Sequence, residues 1–126
     1  MTITFNHTII AARDRHESAS FFTSLFGLGA PTSWGPFVTV TLDAGVRLHF
    51  AEPGIDDIQM QHYAFLVDDR TFDAIYTRIV DGGLEHWADP QMTMPGQINT
   101  NNGGRGFYFF FDPAGHAMEV LTRPDD

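Results

Sequence analysis

The 126-residue chain has no cysteine and no lysine: its seven basic residues are all arginine, set against sixteen acidic ones, for a formal net charge of −9. Without cysteine there are no disulfides, thiolate nucleophiles, iron–sulfur clusters or thiolate zinc sites. Without lysine there is no Schiff-base chemistry and no Walker A loop. Charged residues make up only 18% of the chain, against a usual share of about 25%. Seven arginines have no surplus to spend on phosphates, so nucleic acid is not an expected partner. No run approaches the roughly 18 apolar residues of a membrane span. The opening Met1-Thr2-Ile3-Thr4 lacks the basic region of a secretory leader, so the expected location is the cytoplasm. Gly27-Leu28-Gly29 follows a helical pattern instead of a strand and lacks the third glycine of a dinucleotide loop.

What the chain does have is a core. Hydrophobic residues make 43% of it, twelve of them phenylalanine. A chain of this length fits one domain and buries about two thirds of its unfolded surface. Ile3, Phe5, His7, Ile9 and Ala11 alternate as one face of a strand. Asp14 with Glu17 three residues later starts a helix. Ala19, Phe22 and Phe26 form its apolar stripe, and Gly27 and Gly29 stop it. Val38 to Leu42 reads as a β-branched strand, and Asp43-Ala44-Gly45 as a turn into the strand Val46 to Ala51.

The second half starts again with a strand from His62 to Val67, an N-cap at Asp69, and a helical stripe of Phe72, Ile75, Tyr76 and Ile79 ended by Gly82-Gly83. Leu84 to Ala88 reads as a short strand. Residues 89–106 read as a polar loop, a length that often marks a lid. Strands at Gly106 to Phe111 and Ala117 to Leu121 flank the turn Asp112-Pro113-Ala114-Gly115.

The halves repeat. His7 precedes Asp14 by seven residues, as His62 precedes Asp69. Gly45 precedes His49 by four, as Gly115 precedes Glu119. A sheet folded about a pseudo-twofold would bring His7, His62, His49 and Glu119 together. Each is polar within an apolar strand, buried polar groups need partners, and one shared metal ion would satisfy all four.

At these residues the sequence resembles the vicinal oxygen chelate superfamily, which includes glyoxalase I, extradiol dioxygenases, fosfomycin-resistance enzymes, methylmalonyl-CoA epimerase and bleomycin-resistance proteins. The carrying pieces are His7 in Asn6-His7-Thr8-Ile9, His62 in His62-Tyr-Ala-Phe-Leu-Val-Asp68, and Asp112-Pro113-Ala114-Gly115-His116-Ala-Met-Glu119. The last is similar to the family's D-P-x-G-h-x-x-E segment. The resemblance implies an α+β fold of two βαβββ modules, about 1–58 and 59–126, in a curved half-open barrel of eight strands. It implies metal ligands at His7, His62 and Glu119. Two imidazoles and one carboxylate suit Fe(II), Mn(II), Ni(II) or Zn(II).

His49 stands where glyoxalase I has a ligating Glu and the epimerase a Gln. Extradiol dioxygenases carry a non-ligand His in this region that acts in acid–base chemistry. His49 is therefore expected to be either a fourth ligand or the catalytic acid–base, with the spacing favouring the second. The rest of the dioxygenase signature is incomplete. Its Tyr, three residues before Asp112, is Phe109 here, and Tyr108 is expected on the other face. Its second His has no equivalent, since Thr100 and Asn101 occupy the region. Fosfomycin-type thiol transfer is disfavoured by the same missing Tyr and by the absence of lysine.

Candidate substrate contacts are Arg47, which shares a strand face with His49, then Phe109, Arg105 on the long loop, and Trp34 and Trp87, one per half. His16 and His86 read as solvated, and His116 as a structural part of the turn. The leading expectation is a divalent-metal enzyme acting on a small substrate with vicinal oxygens, leaning to Fe(II) extradiol-dioxygenase-like chemistry. A glyoxalase- or epimerase-like lyase or isomerase is the first alternative. The second is a non-catalytic bleomycin-resistance-like binder, whose acidic, aromatic cavity would attract cationic ligands. A homodimer is expected, with the ligands drawn from one chain or two.

Overall fold

Two capping aspartates and two glycine stops set the frame. The computed structural model describes residues 2–54 and 57–124. Helix α1 (Arg15–Phe26) begins at Asp14, whose carboxylate accepts from the N–H groups of His16 and Glu17, satisfying two of the orphan donors of the first turn. It ends at Gly27, at φ 71°, a left-handed conformation that glycine adopts without a Cβ penalty. A Cβ there would also meet the Arg78 guanidinium at 2.8 Å. That guanidinium donates to the carbonyl of Leu25 at 2.9 Å and so caps α1 from the second helix. Helix α2 (Asp69–Asp81) begins one residue earlier than the sequence reading: the N-cap is Asp68, which accepts from Thr71 N–H.

The strands form two sheets of matching plan. In the first, β1 (His7–Ala11), β2 (Thr32–Trp34), β3 (Phe37–Thr41) and β4 (Arg47–Ala51) lie in the order β1-β4-β3-β2. In the second, β5 (His62–Leu66), β6 (Gly106–Phe109) and β7 (Ala117–Leu121) lie in the order β5-β7-β6. β1 runs parallel to β4 as β5 does to β7, and β3 and β6 are antiparallel to those partners. The internal repeat is thus a repeat of strand order. The short strand β2 had no signal in the sequence. Its counterpart, expected at Leu84 to Ala88, is reduced to single bridges from Trp87 to Pro95 and to Tyr108.

Each sheet buries one face under its own helix. Ile10, Val38, Val40, Leu48 and Phe50 pack with Ala19 and Phe22. Phe107, Phe109, Met118 and Val120 pack with Phe72, Ile75 and Ile79. Phe26, Tyr63 and Phe65 touch both clusters, so the halves join on the helix side. Cross-strand partners share a face. The opposite face of the first sheet therefore carries His7, Arg47 and Thr41, then Ile9, His49 and Thr39, then Trp34 and Phe37. That of the second carries His62 and Ala117, then Ala64, Glu119, Tyr108 and Trp87. No helix among the described residues is long and apolar enough to cross a membrane.

A polar latch ties the strands that open the two halves. His116 is fully buried. Its Nε2 lies 2.8 Å from the carbonyl oxygen of Ala11 and its Nδ1 accepts from the N–H of Gln61 at 3.1 Å. Nδ1 accepts and the carbonyl can only accept, so the ring proton sits on Nε2. Nearby, Arg13 donates to the carbonyl of Pro113.

Candidate functional site

The repeat delivers its four polar residues as two pairs. On the first sheet His7 and His49 have ring centroids 5.3 Å apart. On the second, His62 Nε2 lies 3.0 Å from Glu119 Oε1. The His62 side chain is 48% exposed and that of Glu119 10%, so the pair sits at an open surface with one buried member. Among the described residues no three His, Asp or Glu side chains converge on a common point. The four polar residues thus stand as two pairs on two open faces.

His49 is set deep in its face. Phe37 stacks on it at 4.9 Å and Trp34 lies 5.5 Å away. Thr39, its cross-strand partner, places Oγ1 2.8 Å from His49 Nδ1. Burial lowers its pKa below the ordinary 6.5, with the nearby His7 and Arg47 adding to the effect; the ring is neutral at neutral pH. His7 places Nδ1 2.6 Å from Asn6 Oδ1. Both imidazoles on this face thus have Nδ1 engaged.

These residues line a cavity of about 690 Å3, made from Trp34, Phe37, Thr39, Arg47, His49 and their neighbours on the first sheet. The volume suits a small organic ligand. The ring planes of Trp34, Phe37 and His49 lie within 26–32° of one another, which shapes a slot for a flat group. Arg47 has no carboxylate partner among the described residues, whereas Arg15 and Arg105 are ion-paired. An uncommitted cation at a cavity wall in an acidic chain is disposed to meet an anionic oxygen.

The remaining sequence candidates divide. Trp34 and Arg47 line the cavity. Phe109 does not: it is 1% exposed and packs with Phe107 and Met118 in the core. Tyr108 takes the open face instead, opposite Glu119 in the ladder and with its ring 5.9 Å from His62. The expectation that Tyr108 points away is thus reversed. Six residues from Gly106 to Phe111 are almost all aromatic, so no period-2 contrast marks the phase; the register to Glu119 does.

Arg105 is not over the site. It pairs with Asp69 and Asp73 and lies 4.4 Å over the Phe72 ring, clamping the end of the long loop to α2. Trp87 shares a face with Tyr108 and meets Phe110 at 5.6 Å, but lies outside the His49 cavity. His86 is buried, with Nε2 2.9 Å from the Tyr76 hydroxyl. Sequence reasoning passed over Asn6, Phe37 and Thr39. Strand alternation from His49 could have found Thr39 only with the β3–β4 register in hand.

Comparison with known proteins follows the same lines. A model described as the glyoxalase/bleomycin resistance protein/dioxygenase superfamily matches residues 4–120. The solved structure of the oxidase ChaP-H1 is 50% identical, with a TM-score of 0.92, and the match covers 98% of each chain. The glutathione transferase FosA of Serratia marcescens is 28% identical over 95% of this chain and 81% of its own. The metallothiol transferase FosB of Shouchella clausii (strain KSM-K16) is 29% identical over 93% and 78%.

Proposed function

Because this chain belongs to the glyoxalase/bleomycin resistance protein/dioxygenase superfamily, we propose that it is a divalent-metal-dependent enzyme acting on a small substrate with vicinal oxygens, with oxidative chemistry of the extradiol-dioxygenase kind. The observation that carries the proposal is the pair His62–Glu119, with Nε2 and Oε1 3.0 Å apart on an open sheet face. A ring nitrogen and a carboxylate oxygen, both of a kind that can bind a metal, lie together there. His7 and His49 stand on the other open face, and among the described residues neither joins them in a set of three.

A second copy of the chain completes the set. Its first sheet supplies His7 opposite His62 and Glu119, giving two imidazoles and a carboxylate. The edge strands β1 and β5 are open. The exposed Phe5, Ile9, Trp34 and Leu66 lie on or beside these faces, and a partner would cover them. When bound, a divalent ion at this set supplies Lewis-acid chelation of adjacent substrate oxygens and, if it is Fe(II), a one-electron partner for O2. The chain's own residues do the rest. Trp34 and Phe37 hold a flat part of the substrate, and Arg47 holds an anionic oxygen. His49 meets a substrate oxygen through Nε2, the nitrogen that Thr39 leaves free, as a hydrogen-bond donor in the catalytic site. The 50% identity to a protein named an oxidase supports the oxidative reading. A lyase or isomerase reading rests on the 5.3 Å between His7 and His49, which would let both ligate.

The test is complementation. His7→Ala chains and His62→Ala chains are each prepared, mixed under mild denaturation and refolded. Metal is then counted by elemental analysis. Each variant alone is expected to hold little metal. The mixed dimer regains one site, because it pairs an intact His7 from one chain with an intact His62 and Glu119 from the other. No recovery on mixing overturns the shared site. No stoichiometric metal in the wild type overturns the enzyme reading.

A further inference from the structure

We infer that Thr39 is a positioning residue that holds His49 with its proton on Nε2, so that His49 presents an N–H donor to the cavity and is not a metal ligand. The inference deepens the proposed function and rests on that reading for its chemical meaning.

The argument is a proton count at one contact. Thr39 Oγ1 and His49 Nδ1 are 2.8 Å apart, and both residues are only 6% exposed. Between a hydroxyl and a neutral imidazole two arrangements exist. Either the hydroxyl donates to Nδ1, and the ring proton sits on Nε2, or Nδ1–H donates to the hydroxyl, and the hydroxyl hydrogen must find another acceptor. Among the described residues Thr39 Oγ1 has no other hydrogen-bond partner. The ring neighbours, Phe37 and Trp34, offer no acceptor. No protein acceptor remains for the hydroxyl hydrogen in the second arrangement, which favours the first.

The same count gives His7 the opposite form. The Asn6 Oδ1 at 2.6 Å from His7 Nδ1 can only accept, so in the neutral ring Nδ1 carries the proton and Nε2 has the lone pair. Two imidazoles 5.3 Å apart on one face thus present different chemistry. His7 offers a lone pair, as a metal ligand must. His49 offers a hydrogen. An N–H donor next to the uncommitted Arg47 makes a two-donor cradle. The substrate class it fits carries an anionic or strongly polarised oxygen: an enolate, phenolate or carboxylate on a flat framework.

The experiment is long-range 1H–15N correlation of the histidine rings in the full chain, freed of metal by chelator, at a pH where the rings are neutral. His49 signals are assigned by their loss in His49→Gln. The expected pattern is a pyrrole-like Nε2 and a pyridine-like Nδ1 for His49, and the reverse for His7. In Thr39→Val the His49 pattern is expected to move toward the other tautomer. In Thr39→Ser, which keeps the hydroxyl, it is expected to return. A pyrrole-like Nδ1 in the wild type overturns the inference, and so does a pattern that Thr39→Val leaves unmoved. Metal content separates this from the underlying reading. A His49→Gln chain that loses metal as completely as His62→Ala makes His49 a ligand and sinks the inference, while the metal-enzyme reading stands. A wild type that takes no metal but has the expected tautomers sinks the enzyme reading alone.

Discussion

Replacing His116 with Leu should unlatch the two halves without opening a large cavity. The imidazole is 0% exposed. It bridges the carbonyl of Ala11, the last residue of the His7 strand, and the amide of Gln61, the residue before His62. Leu fills similar space but leaves both backbone groups without a partner. An unpaired buried polar group costs about 1–3 kcal/mol. These two sites are only partly shielded, so the loss should be about 2–4 kcal/mol in all. For a domain stable by about 5–15 kcal/mol that is a large share. With a urea slope of about 2 kcal/mol/M, the midpoint should fall by about 1–2 M. Equilibrium urea unfolding followed by tryptophan fluorescence reads this directly, with the exposed His16→Leu as control, expected within about 0.5 kcal/mol of wild type. A shift for His116→Leu no larger than the control's would refute the latch: the two bonds would then be contributing nothing that solvent does not replace. The latch also sets where His7 and His62 stand relative to each other, so mixed-dimer metal recovery should weaken in the same variant.

Four further outcomes follow from the same geometry. Phe109→Ala should destabilise by about 3–5 kcal/mol, as a core truncation, whereas Tyr108→Phe should keep the fold and alter turnover; urea midpoints and steady-state rates separate them. Arg105→Ala should cost no more than about 1 kcal/mol, since its pairs with Asp69 and Asp73 are surface pairs, and should leave metal content unchanged. In the metal-free protein the lowered pKa of His49 means that the fold binds fewer protons there than the unfolded chain. That contribution to stability is complete above the ordinary value of 6.5 and is lost as pH falls from there toward the folded value. His49→Gln should therefore flatten the decline of urea midpoint on the acid side of that window. Arg47→Gln removes one of the charges that depress the His49 pKa, so an NMR titration of His49 should show it rise.

Much of the frame was legible in the chain itself. Asp14, Gly27, Gly83 and the stripe of Phe72, Ile75 and Ile79 are local signals with local causes: an orphan N–H needs a cap, a positive φ needs glycine, an apolar stripe needs a sheet. The strand residues His7, His62, His49 and Glu119 stood out because each interrupts an apolar run. The repeat arithmetic then matched His7 with His62 and His49 with Glu119, as the two sheets' common strand order does. Other features had no local cause. β2 is three exposed residues paired with β3. The phase of the aromatic run at Gly106 to Phe111 depends on its register with β7. Arg105 was free to be a lid residue until α2 offered it Asp69, Asp73 and the Phe72 ring.

The sequence by itself determined the element types, the repeat and the identity of the four polar strand residues, because capping, glycine stops and side-chain alternation act within a few residues. Only the tertiary structure decided how those four are grouped. Cross-strand register put Thr39 against His49 and Tyr108 against Glu119. The helix-side packing and the His116 latch turned the two sheet faces into separate open surfaces. Pairing across strands is set by contacts far apart in the chain, and no spacing along one strand encodes it.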